Sequence, residues 1–127
     1  MNGAENTVGV VGAGAWGTAL AEVMASAQGG SLIWAREDEV VSAINGSHEN
    51  TVYLAGNTLS PNVAATGDMN DLAGCKALLL VTPAQHLRTT LATLPDTKAP
   101  VLLCCKGIET GSMALMSEVA EEARPDN

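Results

Sequence analysis

The 127-residue chain has no phenylalanine, and its only aromatic side chains are Trp16, Trp34 and Tyr53. A core built on stacked aromatic rings is therefore ruled out. With 46% apolar residues, the interior has to be assembled from Ala, Val, Leu, Ile and Met, as suits a sheet covered by helices of small residues. Cations are scarce too, six against 14 acids for a net charge of −8. That balance argues against a nucleic acid or an anionic membrane as partner, since each demands a basic face. A small anionic ligand remains open, because the local field decides its binding. The acids read as solvated surface on helices and loops. No apolar run reaches membrane-spanning length, and the longest, residues 77–81, is the length of a strand. Residues 1–6 hold no basic stretch followed by an apolar one, so no export signal reads there and a cytoplasmic location is expected. Cys75, Cys104 and Cys105 make an odd count without a C-x-x-C pair. Adjacent residues of a regular strand face opposite ways, so Cys104 and Cys105 predict small, buried, reduced thiols and no metal site.

What the chain does have is an alternation of strand and helix along its whole length. Strands are expected near 7–12, 31–34, 63–66, 76–82 and 101–105, and helices near 15–27, 37–44, 83–94 and 112–123. Asp68 reads as the cap of a short helix through Leu72. Residues 45–62, rich in Asn, Gly, Ser and Pro, read as a long loop. In the last helix Met113, Leu115, Met116 and Val119 are set against Glu118, Glu121 and Glu122. Strands separated by helices imply right-handed crossovers and an α/β doubly wound parallel sheet, a Rossmann dinucleotide-binding domain. Five strands can be counted where the full arrangement has six. Residues 1–127 are accordingly read as one incomplete domain, and Arg124-Pro125-Asp126-Asn127 as a break in mid-fold, with the last strand and anything after it missing.

The chemistry centres on Gly12-Ala13-Gly14-Ala15-Trp16-Gly17, directly behind the apolar run at 7–11 and opening the first helix. In that strand–turn–helix setting G-x-G-x-x-G marks a dinucleotide site. Gly12 permits the turn, Gly14 lets a pyrophosphate approach the backbone, and Gly17 lets helix and sheet pack closely. The free N–H groups at the helix start then face the anion. Arg36, Arg88 and Lys106 fall at or just after strand ends, where α/β ligands bind. Arg36 stands about 20 residues past the glycines, where an NAD site places an acid for the ribose 2′-hydroxyl. A guanidinium there favours NADP, or tolerance of NADP and NAD alike. Glu37 beside it is assigned to the first turn of the following helix. Pro83 sets a helix start beside the glycine turn and is placed in the cofactor wall. Lys106, with Gly107 removing bulk beside it, projects into the crevice, where its ammonium can hold a phosphate or a substrate oxygen. His48 and His86 have no paired acid or nucleophile in sequence and are read as surface or packing residues.

Taken together, Gly12-x-Gly14-x-Trp16-Gly17-Thr18-Ala19-Leu20-Ala21, Trp34-x-Arg36, Ile44-Asn45, Asn50, Tyr53-Leu54-x-Gly56, Leu59-x-x-Asn62, Ala65-Thr66-x-Asp68, Pro83-x-Gln85-x-x-Arg88, Cys105-Lys106-Gly107-Ile108-Glu109 and Leu115-Met116-Ser117-Glu118 resemble the N-terminal domain of NAD(P)-dependent glycerol-3-phosphate dehydrogenase. The glycine motif is shared by many reductases, whereas the Trp-x-Arg, Tyr-Leu-x-Gly and Lys-Gly-Ile-Glu segments together are far more specific. The resemblance implies hydride exchange between NAD(P)H and dihydroxyacetone phosphate, giving sn-glycerol 3-phosphate for phospholipid synthesis. By the same resemblance Ala15 and Trp16 line the cofactor at the turn, Arg36 meets its adenosine end, Tyr53 approaches it from the loop, and Lys106 touches both cofactor and substrate. It implies a homodimer for the full-length enzyme. Ala15 stands where the family often has Ser, Ala55 where Pro is usual, and Thr82 where Val is usual. The family's proton-transferring lysine belongs to later segments and a helical C-terminal domain, so no catalytic residue is expected in this chain. Reduction of a carbonyl needs an acid for the new alkoxide, and Lys106 orients substrate instead. The chain alone is therefore expected to bind NADPH weakly or not at all and to turn nothing over. Two other readings stay open: a different Rossmann-domain reductase, and a non-catalytic nucleotide-binding module.

Overall fold

In the computed structural model, which describes residues 7–127, five short strands form one parallel sheet. The stretch read above for an export signal lies outside the described residues. The strands are β1 (Val8–Val11), β2 (Ser31–Trp34), β3 (Val63–Thr66), β4 (Ala77–Leu80) and β5 (Val101–Leu103), in spatial order β3-β2-β1-β4-β5. The order reverses at β1, so the chain winds out one way through β2 and β3, then returns to add β4 and β5 on the other side. This is the doubly wound arrangement, with its switch point between β1 and β4.

Residue alternation along the strands assigns the two faces. Val10, Ile33 and Leu79 are in register across β2, β1 and β4 and point to one face. There they meet Ala21 and Ala25 of α1 (Ala15–Gln28) and Val40 and Ile44 of α2 (Asp38–Ser47). Val11, Leu78 and Leu80 point to the other, against Leu87 and Leu91 of α3 (Leu87–Thr93) and Met116 and Val119 of α4 (Met116–Ala123). Each such aliphatic side chain removed from water contributes about 1.5–3 kcal/mol, which is how four-residue strands hold without aromatic help. Alanines on α1 let that helix lie close to the sheet. Gly29, left-handed at φ 88°, ends it, its N–H donating to the Ala25 carbonyl.

The structure departs from the sequence expectations at particular ends. Helix α2 runs on to Ser47, past the expected end at Ile44, and stops at His48 in the left-handed conformation. Its Asn45 side chain is the reason for the extra turn. Nδ2 donates to the Ala65 carbonyl and Oδ1 accepts from the Ala65 N–H, both at 2.9 Å, so the amide satisfies backbone on the outer edge of β3. Residues 69–72 form a 3-10 turn with the Asp68 carboxylate accepting from Asn70 N–H, as the capping signal predicts. Between Pro83 and α3 there is likewise a 3-10 turn, Ala84–His86. The last helix begins at Met116 and not at 112. Residues 108–115 fold back on themselves through the Ile108–Leu115 bridge, and Met113 and Leu115, expected in the helix's apolar stripe, are exposed. Arg124 donates to the Leu94 and Pro95 carbonyls, and Asn127 to those of Thr97 and Ala99.

Candidate functional site

The C-terminal ends of β1, β2, β4 and β5 open into one cavity of about 1110 Å³. Its floor is the glycine turn. Gly12 has φ +117°, a conformation natural to glycine, and a Cβ there would stand 3.1 Å from the Val81 backbone. A Cβ on Gly17 would stand 1.9 Å from the Gly12 carbonyl oxygen, so helix and turn can close only over a hydrogen atom. Above Gly14 nothing lies within 4 Å of such a Cβ, which leaves the backbone open to the cavity. No side chain caps α1, whose N-cap is Gly14 itself, and its first turn holds no acid. Uncapped N–H groups, a bare backbone and the positive end of the helix dipole are the donor set an anionic diphosphate requires.

The turn is held from below by Asn50, which is fully buried. Its Nδ2 donates to the Ala13 carbonyl and to Thr18 Oγ1, each at 2.8 Å, and the Thr18 hydroxyl in turn donates to the Gly14 carbonyl. Asn50 Oδ1 accepts from the N–H of Tyr53. One amide thus ties the turn to the loop that carries Tyr53.

Seven of the expected site residues line the cavity: Gly12, Gly14, Trp16, Arg36, Tyr53, Pro83 and Lys106. Two do not. Gly17 is buried beneath the turn, and Ala15, expected to line the cofactor there, is exposed and is not among the cavity's lining residues. Arg88 is also placed differently from its reading as a crevice cation. Its guanidinium makes a two-toothed pair with Glu109 at 2.9 Å and a further bond to Glu122. Glu109 also accepts from Ser112, and Arg88 with Ser112 holds its carboxyl down at about 2. This cluster locks the strap at 108–115 onto α3 and α4, so Glu109 is not the solvated acid the sequence suggests. Three cations are thereby accounted for, since Arg124 serves backbone carbonyls and Lys76 donates to Gln28. Arg36 and Lys106, the two that line the cavity, make no ion pair among the described residues.

The thiols are a correction of another kind. Cys75 is buried, and desolvation raises it to about 11, but Cys104 and Cys105 are only half-buried and both line the cavity. The strand ends at Leu103, so their alternation sends Cys104 to one core and Cys105 to the other while both border the opening. Burial raises both, which keeps them protonated. The sequence reading also left out Glu37, Thr82, the exposed His86 and the face Thr89, Thr90 and Thr93, all of which line the cavity. A threonine spacing of three to four on a helix was the available signal for the last group.

A parallel sheet in the order 3-2-1-4-5, with a glycine turn opening α1 at the switch point, defines a Rossmann-type dinucleotide-binding domain. Residues 7–127 match the family described as "NAD-dependent glycerol-3-phosphate dehydrogenase N-terminus". The chain belongs to that family. It is 55% identical over 121 residues to glycerol-3-phosphate dehydrogenase [NAD(P)+] of Caulobacter vibrioides, covering 93% of this chain and 37% of that protein. With the protein of the same name from Erythrobacter litoralis it shares 49% over 120 residues, 94% of this chain and 36% of the other. The crystal structure of glycerol-3-phosphate dehydrogenase from Coxiella burnetii superposes with a TM-score of 0.83 at 28% identity, over 93% of this chain and 37% of that one. The chain thus spans a little over a third of the length of these relatives.

Proposed function

We propose that residues 1–127 form the cofactor-holding domain of an enzyme that interconverts dihydroxyacetone phosphate and sn-glycerol 3-phosphate with NAD(P)H. The observation that carries the reading is the convergence of an uncapped helix start, Arg36 and Lys106, both free of ion pairs, on one cavity at the switch point. In it, the N–H groups opening α1 take the diphosphate, Arg36 the adenosine end, and Trp16, Tyr53 and Pro83 the walls. The bound dinucleotide supplies a hydride. Lys106, after β5 on the far side of the turn from Arg36, orients the substrate and neutralises its oxygen or phosphate charge. The acid that protonates the new alkoxide is assigned to the part of the relatives' length that this chain does not cover. The reading includes a cytoplasmic, homodimeric full-length enzyme making glycerol phosphate for lipid synthesis. No helix among the described residues is long and apolar enough to cross a membrane.

The test is a titration of the chain with NADPH and NADH, followed by amide NMR shifts, alongside a spectrophotometric assay with dihydroxyacetone phosphate. Weak saturable binding that shifts residues 12–17, with no oxidation of NADPH, is expected. Turnover by the chain alone, or binding that leaves residues 12–17 unshifted, overturns the reading. Arg36→Ala is expected to cost about three- to tenfold in NADPH affinity and less for NADH, the size of one charge-assisted contact. Equal losses refute 2′-phosphate recognition.

A further inference from the structure

Arg36 and Glu37 are adjacent, oppositely charged and both in the cavity wall, yet no ion pair joins them. The Glu37 carboxylate is engaged elsewhere: Tyr53, 16 residues further along, donates its phenolic hydrogen to Glu37 Oε2. Tyr53 also lines the cavity and is 44% exposed. It is fixed from behind, because its N–H donates to Oδ1 of the buried Asn50, the residue that holds the glycine turn. The carboxylate is thus bonded to the phenol, and the Arg36 guanidinium makes no ion pair among the described residues. A carboxylate has room for several hydrogen bonds, so the one from Tyr53 does not close Glu37 to another donor.

We propose that Glu37, held by Tyr53, is the second half of the cofactor discriminator: Tyr53 keeps the carboxylate off Arg36, so that the guanidinium remains open to a 2′-phosphate and the carboxylate to a ribose 2′-hydroxyl. The inference rests on the dinucleotide reading above and goes beyond it in giving this one site a means of accepting both nucleotides. Without the phenol, Glu37 turns to its nearest cation, Arg36, and the phosphate has to displace it. Without the carboxylate's charge, the phosphate loses a like-charged neighbour and the hydroxyl keeps only a weaker, neutral acceptor.

The experiment measures dissociation constants of NADPH and NADH for the chain and for Tyr53→Phe, Glu37→Gln and the double variant, by amide NMR titration, with circular dichroism confirming the fold. Tyr53→Phe is expected to weaken NADPH about three- to fivefold while moving NADH by less than about twofold, as for one partly exposed charge interaction. Glu37→Gln should move the NADPH/NADH preference in the opposite direction, tightening NADPH and weakening NADH. In the double variant NADPH affinity returns to the wild-type value or better, because no carboxylate is left to compete. An unchanged NADPH/NADH ratio in either single variant overturns the inference and leaves the dinucleotide reading intact. Binding of nucleotide that leaves residues 12–17 unshifted overturns both.

Discussion

Asn50 donates from Nδ2 to the carbonyl oxygen of Ala13 at 2.8 Å, across 37 residues of sequence. Asn50 is wholly buried, and its bond fixes the middle of the glycine turn from the loop that follows α2. The cavity floor and one of its walls are thus a single hydrogen-bonded unit.

Replacing Asn50 by Ala removes both donations of its amide and the acceptor of the Tyr53 N–H, and leaves buried groups unpaired. A loss of about 2–4 kcal/mol is expected, each orphaned buried group costing about 1–3 kcal/mol. Chemical denaturation measures it. A change under about 0.5 kcal/mol, the range of ordinary surface substitutions, would show that the amide holds nothing.

Two glycines in the same turn should respond in opposite ways. A methyl at Gly17 meets the Gly12 carbonyl at 1.9 Å, and Gly17→Ala is expected to destabilise by about 3 kcal/mol or more, because a close-packed interior yields little. A methyl at Gly14 meets nothing within 4 Å, so Gly14→Ala should melt like the wild type and bind dinucleotide more weakly. Calorimetry and titration of the two variants separate the roles, and equal melting temperatures would refute the packing argument for Gly17.

Thr82 carries a buried hydroxyl with no hydrogen-bond partner among the described residues. Its near-isostere lacks the unsatisfied oxygen, so Thr82→Val is expected to stabilise the ligand-free chain by about 1 kcal/mol. A lower midpoint in urea for Thr82→Val would count against this.

Glu109 gives a pH dependence of definite sign. Its carboxyl is held at about 2 in the folded chain, below its ordinary 4.5, by Arg88 first and Ser112 second. A depressed folded value favours the folded state above the ordinary value. The contribution of the pair is therefore full above about pH 4.5 and fades as pH falls toward about 2. Melting temperature should drop through that window in the wild type and drop less in Glu109→Gln. Parallel curves for the two proteins would exclude Glu109 as a source of the acid sensitivity.

Strand positions, the α1 boundary and the glycine turn were legible because each is written locally. Period-two and period-3.6 apolar patterns and a glycine triplet behind a strand need no distant partner to be read. The place of β1 at the switch point follows from the doubly wound order that alternating strands and helices imply. Helix α2 was misjudged at its end, because Asn45 looks like a loop residue until the β3 edge is present to bond with it. Residues 112–115 looked helical, because their apolar spacing fits a helix and the constraint that bends them, Glu109 on Arg88, comes from α3.

The local pattern settled the class of fold, the glycine turn at Gly12, Gly14 and Gly17, and the family, since backbone freedom and side-chain periodicity act over a few residues. Which charges face the cavity was settled in three dimensions. Of the cations at strand ends, Arg36 and Lys106 make no ion pair among the described residues while Arg88 is taken by Glu109 and Glu122, and of the neighbours Arg36 and Glu37 the acid is held by Tyr53. A charge is available to a ligand only if no nearer partner claims it, and the nearest partner is chosen by the fold.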